Sequence, residues 1–335
     1  MRDSRRREIK LAANRLLTEV GFDFAGPVDV FKIIRQLRIW LIFQPLQNAL
    51  GATLRVGAGG IIITTQRSPK IQRFTAAHEL GHWRLHRGDL EWDTPDAILS
   101  SLGAPERERE AQLFASHLLM PRQLVRRAMQ VVGIGEATQM TDVQLYGVSR
   151  ELQVSYEAAA RQMQNLGIVQ PAHVRELLKK KPLAVKKQLS SGVAPQNALA
   201  DVWVASPDAH KFVTLPGDEI VVRLPENALA GYRWRAQLPS AAAHVVTNIP
   251  SPPHQRALES APGALTAGGV GERTVVLRTT EPGSWQLGME LTRSFSHADP
   301  IDEIVFQGTV ALPPAAANSA EVIQQLRLAD SLDES

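Results

Sequence analysis

The stretch FTAAHELGHWRLH, Phe74 to His86, places His78, Glu79, His82 and His86 inside a segment that otherwise reads as a buried helix. Phe74, Ala76, Ala77, Leu80 and Gly81 mark a core element, where His and Glu without partners would cost on the order of several kcal/mol. His78 and His82 are four apart, so on a helix they stand one turn above each other on one face. Two imidazoles so placed can share a tetrahedral Zn²⁺, and Glu79, in H-E-x-x-H order, lies beside the metal as a base for water. A metal supplies the partner that makes this chemistry tolerable in a core.

Cysteine is absent from the 335 residues, so no disulfide framework forms, and the third ligand of such a site must be His, Asp or Glu. The best source is EREREAQLFASHLL, Glu106 to Leu119. Ala111, Phe114, Ala115 and Leu118 set its apolar face, and Glu108, three residues before Ala111, projects near that face while Glu106 and Glu110 turn away. His86, one turn after His82, stays open as an alternative ligand or as a support at the site rim. His117, nine residues past Glu108, falls on the opposite side and reads as a half-exposed histidine.

The rest of the chain divides by pattern. After an amphipathic opening helix and PVDVFKIIRQL, the stretches RIWLIFQPL, ATLRVG and GIIITTQ read as strands. Gly57, Gly59 and Gly60 lack the strand-Gly-helix context of a phosphate loop and read as a hairpin turn. GIIITTQ is the expected edge strand on which a substrate peptide would lie. Thr141 to Val169 has the rhythm of a helix-turn-helix, with a tight turn at Gln153-Val154 and Ser155 capping the second helix. Its charges, Asp142, Arg150, Glu151, Glu157 and Arg161, do not offset phosphate, which favours a structural pair or partner surface over DNA reading. Lysines 179, 180, 181, 186 and 187 read as a solvated basic helix before a Ser/Gly/Pro linker. From Val202, FVTL, DEIVVRLP, GYRWRAQL, RTVVLRTT, SWQLGMELT and DEIVFQGTVAL alternate as short strands of an all-β sandwich.

With 37 Lys+Arg against 34 Asp+Glu, the chain is not a dedicated nucleic-acid binder, and no run of eighteen apolar residues suggests a membrane span. The basic start MRDSRRREIK is followed by LAANRLLTEVGF, where Asn14, Arg15 and Glu19 break any secretory apolar run, so a cytoplasmic location is expected.

RFTAAHELGHWRLH, together with the E-x-x-A-x-x-F-A-x-x-L-L-M-P pattern of Glu108 to Pro121, strongly resembles the ImmA/IrrE-type zinc metallopeptidases. The likeness runs from about Arg6 to Pro121. It implies a zinc endopeptidase with His78, His82 and Glu108 as ligands and Glu79 as base, acting on a protein substrate such as a transcriptional repressor in a stress or mobile-element response. Gln112 stands where that family usually has Asn, leaving it and His86 as candidates for supporting the ligands. ENALAGYRWRA, TAGGVGERTVVLR and ELTRSF resemble a second family, the chagasin-like inhibitors of papain-type cysteine proteases. There the matching protein-binding loop positions are Gly231, Tyr232, Trp234, Gly268, Gly269, Arg293 and Phe295. Ala228-Leu229-Ala230 replaces that family's polar tip, and Arg293-Ser294-Phe295 its Arg-Pro-Trp. The partner implied is a papain-like protease or the chain's own catalytic cleft.

The expected architecture is thus an α+β zincin-like metallopeptidase domain (1–125), a helix-turn-helix-like helical segment and linker (126–190), an all-β Ig-like, chagasin-like sandwich (200–313) and a flexible tail (314–335).

Overall fold

The computed structural model describes residues 1–54, 59–86, 91–93, 105–135, 140–205, 211–227, 231–238, 240–251, 271–293 and 300–320. Two compact units result: Met1–Pro182 with the stretch that starts at Pro314, and Leu183–Pro313. The segments 1–125 and 126–190 therefore fall largely within one unit, and the second unit begins before residue 200. Residues 314–320, drawn from sequence as the start of a tail, are helical, with Asn318 buried and its Nδ2 donating to Leu41 O at 3.3 Å.

The first unit is mostly helical around a small sheet. Its helices are α1 (Asp3–Glu19), α2 (Val30–Gln36), α3 (Pro69–Leu85), α4 (Glu106–Leu119), α5 (Arg122–Val131), α6 (Asp142–Glu151), α7 (Tyr156–Asn165) and α8 (Pro171–Lys179). Its strands β1 (Trp40–Gln44), β2 (Gly51–Leu54), β3 (Gly60–Thr64) and β4 (Glu91–Asp93) lie in the order β1-β3-β2-β4. β3 is therefore not the edge strand expected from GIIITTQ. It runs parallel to β1 and antiparallel to β2, and all five of its residues are buried. An apolar run with no polar alternation belongs inside a sheet, where both faces are covered. Gly59, at φ +75°, closes the β2–β3 connection, and Gly57 lies outside the described residues.

α3 carries the motif. Pro69 sits in its first turn, where a missing N–H costs nothing, and Ser68 precedes it in an extended conformation. α3 and α4 approach closely at Gly81: a Cβ there would meet Ala111 Cα at 3.1 Å and Phe114 Cδ1 at 3.2 Å. The α6–α7 pair forms as its sequence implies. Thr141 and Gln144 make a capping box, Ser155 accepts from Ala158 N, and Gln153 takes the left-handed φ of +53° at the turn between the helices.

The second unit opens with α9 (Pro182–Leu189), which the lysine run had suggested would be wet. Instead Lys186 is buried, and its Nζ donates to Ala198 O at 2.8 Å and Ala200 O at 2.5 Å. Three charge-assisted donors on a long stem can reach such carbonyls, which a charge count does not reveal. Eight strands follow: β5 (Val202–Ala205), β6 (Lys211–Thr214), β7 (Glu219–Glu226), β8 (Tyr232–Gln237), β9 (Ala243–Ser251), β10 (Gly271–Thr279), β11 (Gly283–Arg293) and β12 (Asp302–Val310). They form two four-stranded sheets, β5-β7-β10-β9 and β6-β12-β11-β8. A shared core holds Ile220, Leu224, Val275, Leu277, Trp234, Trp285, Met289 and Phe306. Pairing is antiparallel except for β5 with β7 and β6 with β12, which are parallel.

Candidate metal centre

α3 and α4 bring three donors to one point. His78 Nε2 lies 3.0 Å from His82 Nε2 and 3.1 Å from Glu108 Oε2, and His82 Nε2 lies 3.3 Å from Glu108 Oε1. All three residues are buried and form a group able to hold a metal ion. Four-coordinate zinc at roughly 2.0–2.1 Å from each ligand keeps its ligand atoms roughly 3.3 Å apart. The observed separations, from a two-imidazole, one-carboxylate donor set, fit that ion. Burial raises the pKa of the Glu108 carboxyl, but hydrogen bonding to His78 and His82 prevails and holds it well below the usual carboxylate range.

Glu79 faces β2. Thr53 Oγ1 lies 2.7 Å from Glu79 Oε2 and 3.1 Å from the Glu79 carbonyl, and donates its one proton to the nearer oxygen. Gly51 makes this possible: a Cβ there would stand 2.6 Å from Thr75 Cγ2 and 2.7 Å from Glu79 Oε1. Glu79 is 1 % exposed, so its carboxylate is held by fixed groups rather than by bulk water.

Behind His82 runs a chain that the sequence did not disclose. His82 Nδ1 lies 3.0 Å from His86 Nδ1, and His86 Nε2 lies 3.0 Å from Glu110 Oε2. Arg5 of α1 grips Glu110 bidentately, Nε to Oε1 at 2.8 Å and Nη2 to Oε2 at 2.7 Å. Arg5 lowers the Glu110 pKa to about 2, with His86 adding to the effect against burial. A ligating His82 Nε2 needs its proton on Nδ1. His86 Nδ1 then accepts that proton's hydrogen bond, and His86 Nε2–H donates to the Glu110 carboxylate, so every member has one consistent role. His86 thus stands beside His82. Glu110 does not turn away: it is buried where α1 covers the second face of α4. Replacing Glu110 by Ala removes the acceptor of His86 Nε2–H, so it should loosen His86 and His82 and lower zinc affinity roughly 10–100-fold. Competition with a chromogenic chelator reads this directly.

His117 is also covered. It is 5 % exposed, with Nδ1 3.5 Å from Gln162 Nε2. Burial, then the charge of Lys10, lowers its pKa to about 4. The folded state therefore stays neutral while an unfolded chain, with pKa near 6.5, takes a proton. This contribution to stability is complete above about pH 6.5 and falls by about 3 kcal/mol as the pH drops to about 4. In His117→Gln, urea unfolding between pH 4 and 7 should show a shallower pH slope.

Gln112 lies one turn past Glu108 and lines a groove. In the second unit, Gly231 takes φ +81°, and Tyr232 pairs across strands with Arg293, whose guanidinium carbon lies 5.5 Å from the ring centroid. Trp234 is not a loop contact. It is buried in the core, with Nε1 donating to Pro225 O at 2.8 Å, because its place two residues after Tyr232 on a strand is an inward one. Gly268, Gly269 and Phe295 lie outside the described residues.

Residues 34–164 match the Peptidase_M78 family, described as the IrrE N-terminal-like domain. Residues 214–310 match the chagasin family of peptidase inhibitors, I42. Each unit carries its own family match. A peptidase-like domain and a chagasin-like inhibitor domain are therefore joined in one chain, and the His78, His82 and Glu108 cluster lies within or between the matched helices of the first. Among solved structures, the chain is similar to the cysteine protease inhibitor EhICP2 from Entamoeba histolytica, at 15 % identity over 33 % of this chain and 96 % of that one, with a TM-score of 0.28. It is also similar to Amebosin, at 17 % identity over 34 % of this chain and 97 % of that one, with a TM-score of 0.23. No curated protein matches the chain. No helix among the described residues is long and apolar enough to cross a membrane.

Proposed function

We propose that the chain is a zinc-dependent endopeptidase of narrow specificity that cleaves a regulatory protein such as a transcriptional repressor. The observation that carries this reading is the convergence of His78 Nε2, His82 Nε2 and the Glu108 carboxylate, with the Glu79 carboxylate on the same helix. Held by those three groups, zinc would supply Lewis acidity toward a peptide carbonyl and toward water. Glu79 accepts the proton of the attacking water and returns it to the leaving amine nitrogen, so the peptide bond breaks with no net change in the carboxylate. Thr53 fixes Oε2 and so sets the plane of the carboxylate during both transfers. The His82–His86–Glu110–Arg5 chain keeps the ligand imidazole from rotating. The test is incubation of zinc-loaded protein with the repressor encoded nearest its own gene. Cleavage at one bond, stopped by chelator and restored by zinc, is expected. An intact repressor after prolonged incubation with metal-replete protein contradicts the reading.

The chagasin-family match supports a second role for the second unit, binding a papain-type protease through the strand ends where Tyr232 and Arg293 meet. Full-length Glu79→Gln protein titrated against papain checks this. Inhibition that disappears in Arg293→Glu supports it, and undiminished papain activity at micromolar protein removes it.

A further inference from the structure

One groove in the first unit remains unused by the metal centre. Its volume is about 700 Å³, and it lies between α3 and α4 on one side and α7 on the other. It begins next to the metal ligands: Phe74 precedes His78 by four residues, and Gln112 follows Glu108 by four. Each is thus one helical turn, about 5.4 Å along its axis, from a ligand. Half-buried Phe74, Leu113 and Ala158 give it an apolar lining. Among the described residues that line it are the cationic side chains of Arg6, Lys70, Arg109 and Arg161 and one carboxylate, Glu157, which is paired with Arg161 at 2.6 Å. In a cleft, charge of one sign focuses its field on whatever enters.

The helix-turn-helix-like pair takes its meaning from this groove. Glu157, Ala158, Arg161 and Asn165 form one stripe of α7, and that stripe lines the groove. A concave, partly apolar wall beside the metal centre suits an extended peptide, whereas duplex DNA is read by a helix that projects outward. We propose that the groove seats an acidic, partly apolar segment of the protein substrate, so that α7 selects substrate rather than nucleic acid. This rests on the peptidase reading above and adds the chemical class of the substrate.

The test separates the two. In the first arm, Glu79→Gln protein, expected to cleave far more slowly than the native chain, is titrated by fluorescence anisotropy with two labelled decapeptides sharing the same leucines, one carrying Glu and the other Lys between them. The acidic peptide should bind about tenfold tighter at low salt, and the preference should vanish in the Arg6→Glu, Arg109→Glu double variant, whose changes lie on exposed side chains. Equal affinities, or a preference unchanged by the double variant, overturn the proposal. So does tighter binding to a 20-base-pair duplex than to the acidic peptide. In the second arm, the zinc-loaded native chain digests a denatured, proteome-derived peptide pool. Cuts flanked by Asp and Glu support the proposal. Cuts with no acidic enrichment overturn it while the peptidase reading stands. No cuts above the Glu79→Gln background, with acidic binding intact, overturn the peptidase reading while the groove's anion selectivity stands.

Discussion

Glu79→Gln lowers the cleavage rate by a factor of about 10²–10⁴, the usual span for loss of a positioned general base, while the protein keeps its zinc. The two halves of that expectation have separate causes. The metal donors are His78, His82 and Glu108, none of which is altered. The amide still offers an oxygen to Thr53, 2.7 Å from the present carboxylate, so the packing against β2 survives. What disappears is the ability to take a proton. A rate within tenfold of the native chain, measured with matched zinc content, removes Glu79 from the chemistry and leaves the His-Glu-His order without its assigned base.

Arg273→Leu destabilises the second unit by about 3–5 kcal/mol, because it strands a buried carboxylate. Arg273 Nε lies 2.5 Å from Glu226 Oε2 and Nη2 lies 2.8 Å from Oε1, while Nη1 donates to Asn248 Oδ1 at 2.7 Å. Glu226 Oε2 also accepts the backbone N–H of Trp234 at 2.9 Å, which ties the ion pair to the strand carrying that core residue. Burial raises the Glu226 pKa, but the hydrogen bonds from Arg273 outweigh it and the net shift is downward. The sign for stability follows: the contribution is full above the unfolded carboxylate pKa of about 4.3 and is lost as the pH falls through the lower folded value. Urea unfolding at pH 7 reads the loss. The double change Glu226→Gln with Arg273→Leu should recover part of it, since no charge is then left buried. A single variant as stable as the native chain would show that the pair carries none of the stability of this unit.

How much of this was legible beforehand differs from residue to residue. The four-residue spacing of His78 and His82 is a local property of a helix, and so is the three-residue offset of Glu108 from the apolar face of α4. Both were readable, and the structure brings these residues together. Alternation likewise announces β6, β7, β8, β10, β11 and β12. Misreadings arose where a second element covers a face that one helix or strand cannot see. α4 is buried on more than one side, so Glu110, which turns from the Glu108 face, and His117, which reads as half-exposed, are both covered. Arg5, over a hundred residues away, is what makes the burial of Glu110 tolerable. Thr53 reaches Glu79 only through the close approach at Gly51. β9 escaped because it is an edge strand holding Pro250, a residue tolerated only where no ladder bond is needed.

The account depends most on one ion between α3 and α4. Elemental analysis of protein purified without chelators and exposed to zinc, then desalted, tests it directly. One zinc per chain is expected in the native protein, falling well below half in His78→Ala, His82→Ala and Glu108→Ala while each variant keeps its helical circular dichroism. Zinc-free native protein, or equal zinc in all four, contradicts it.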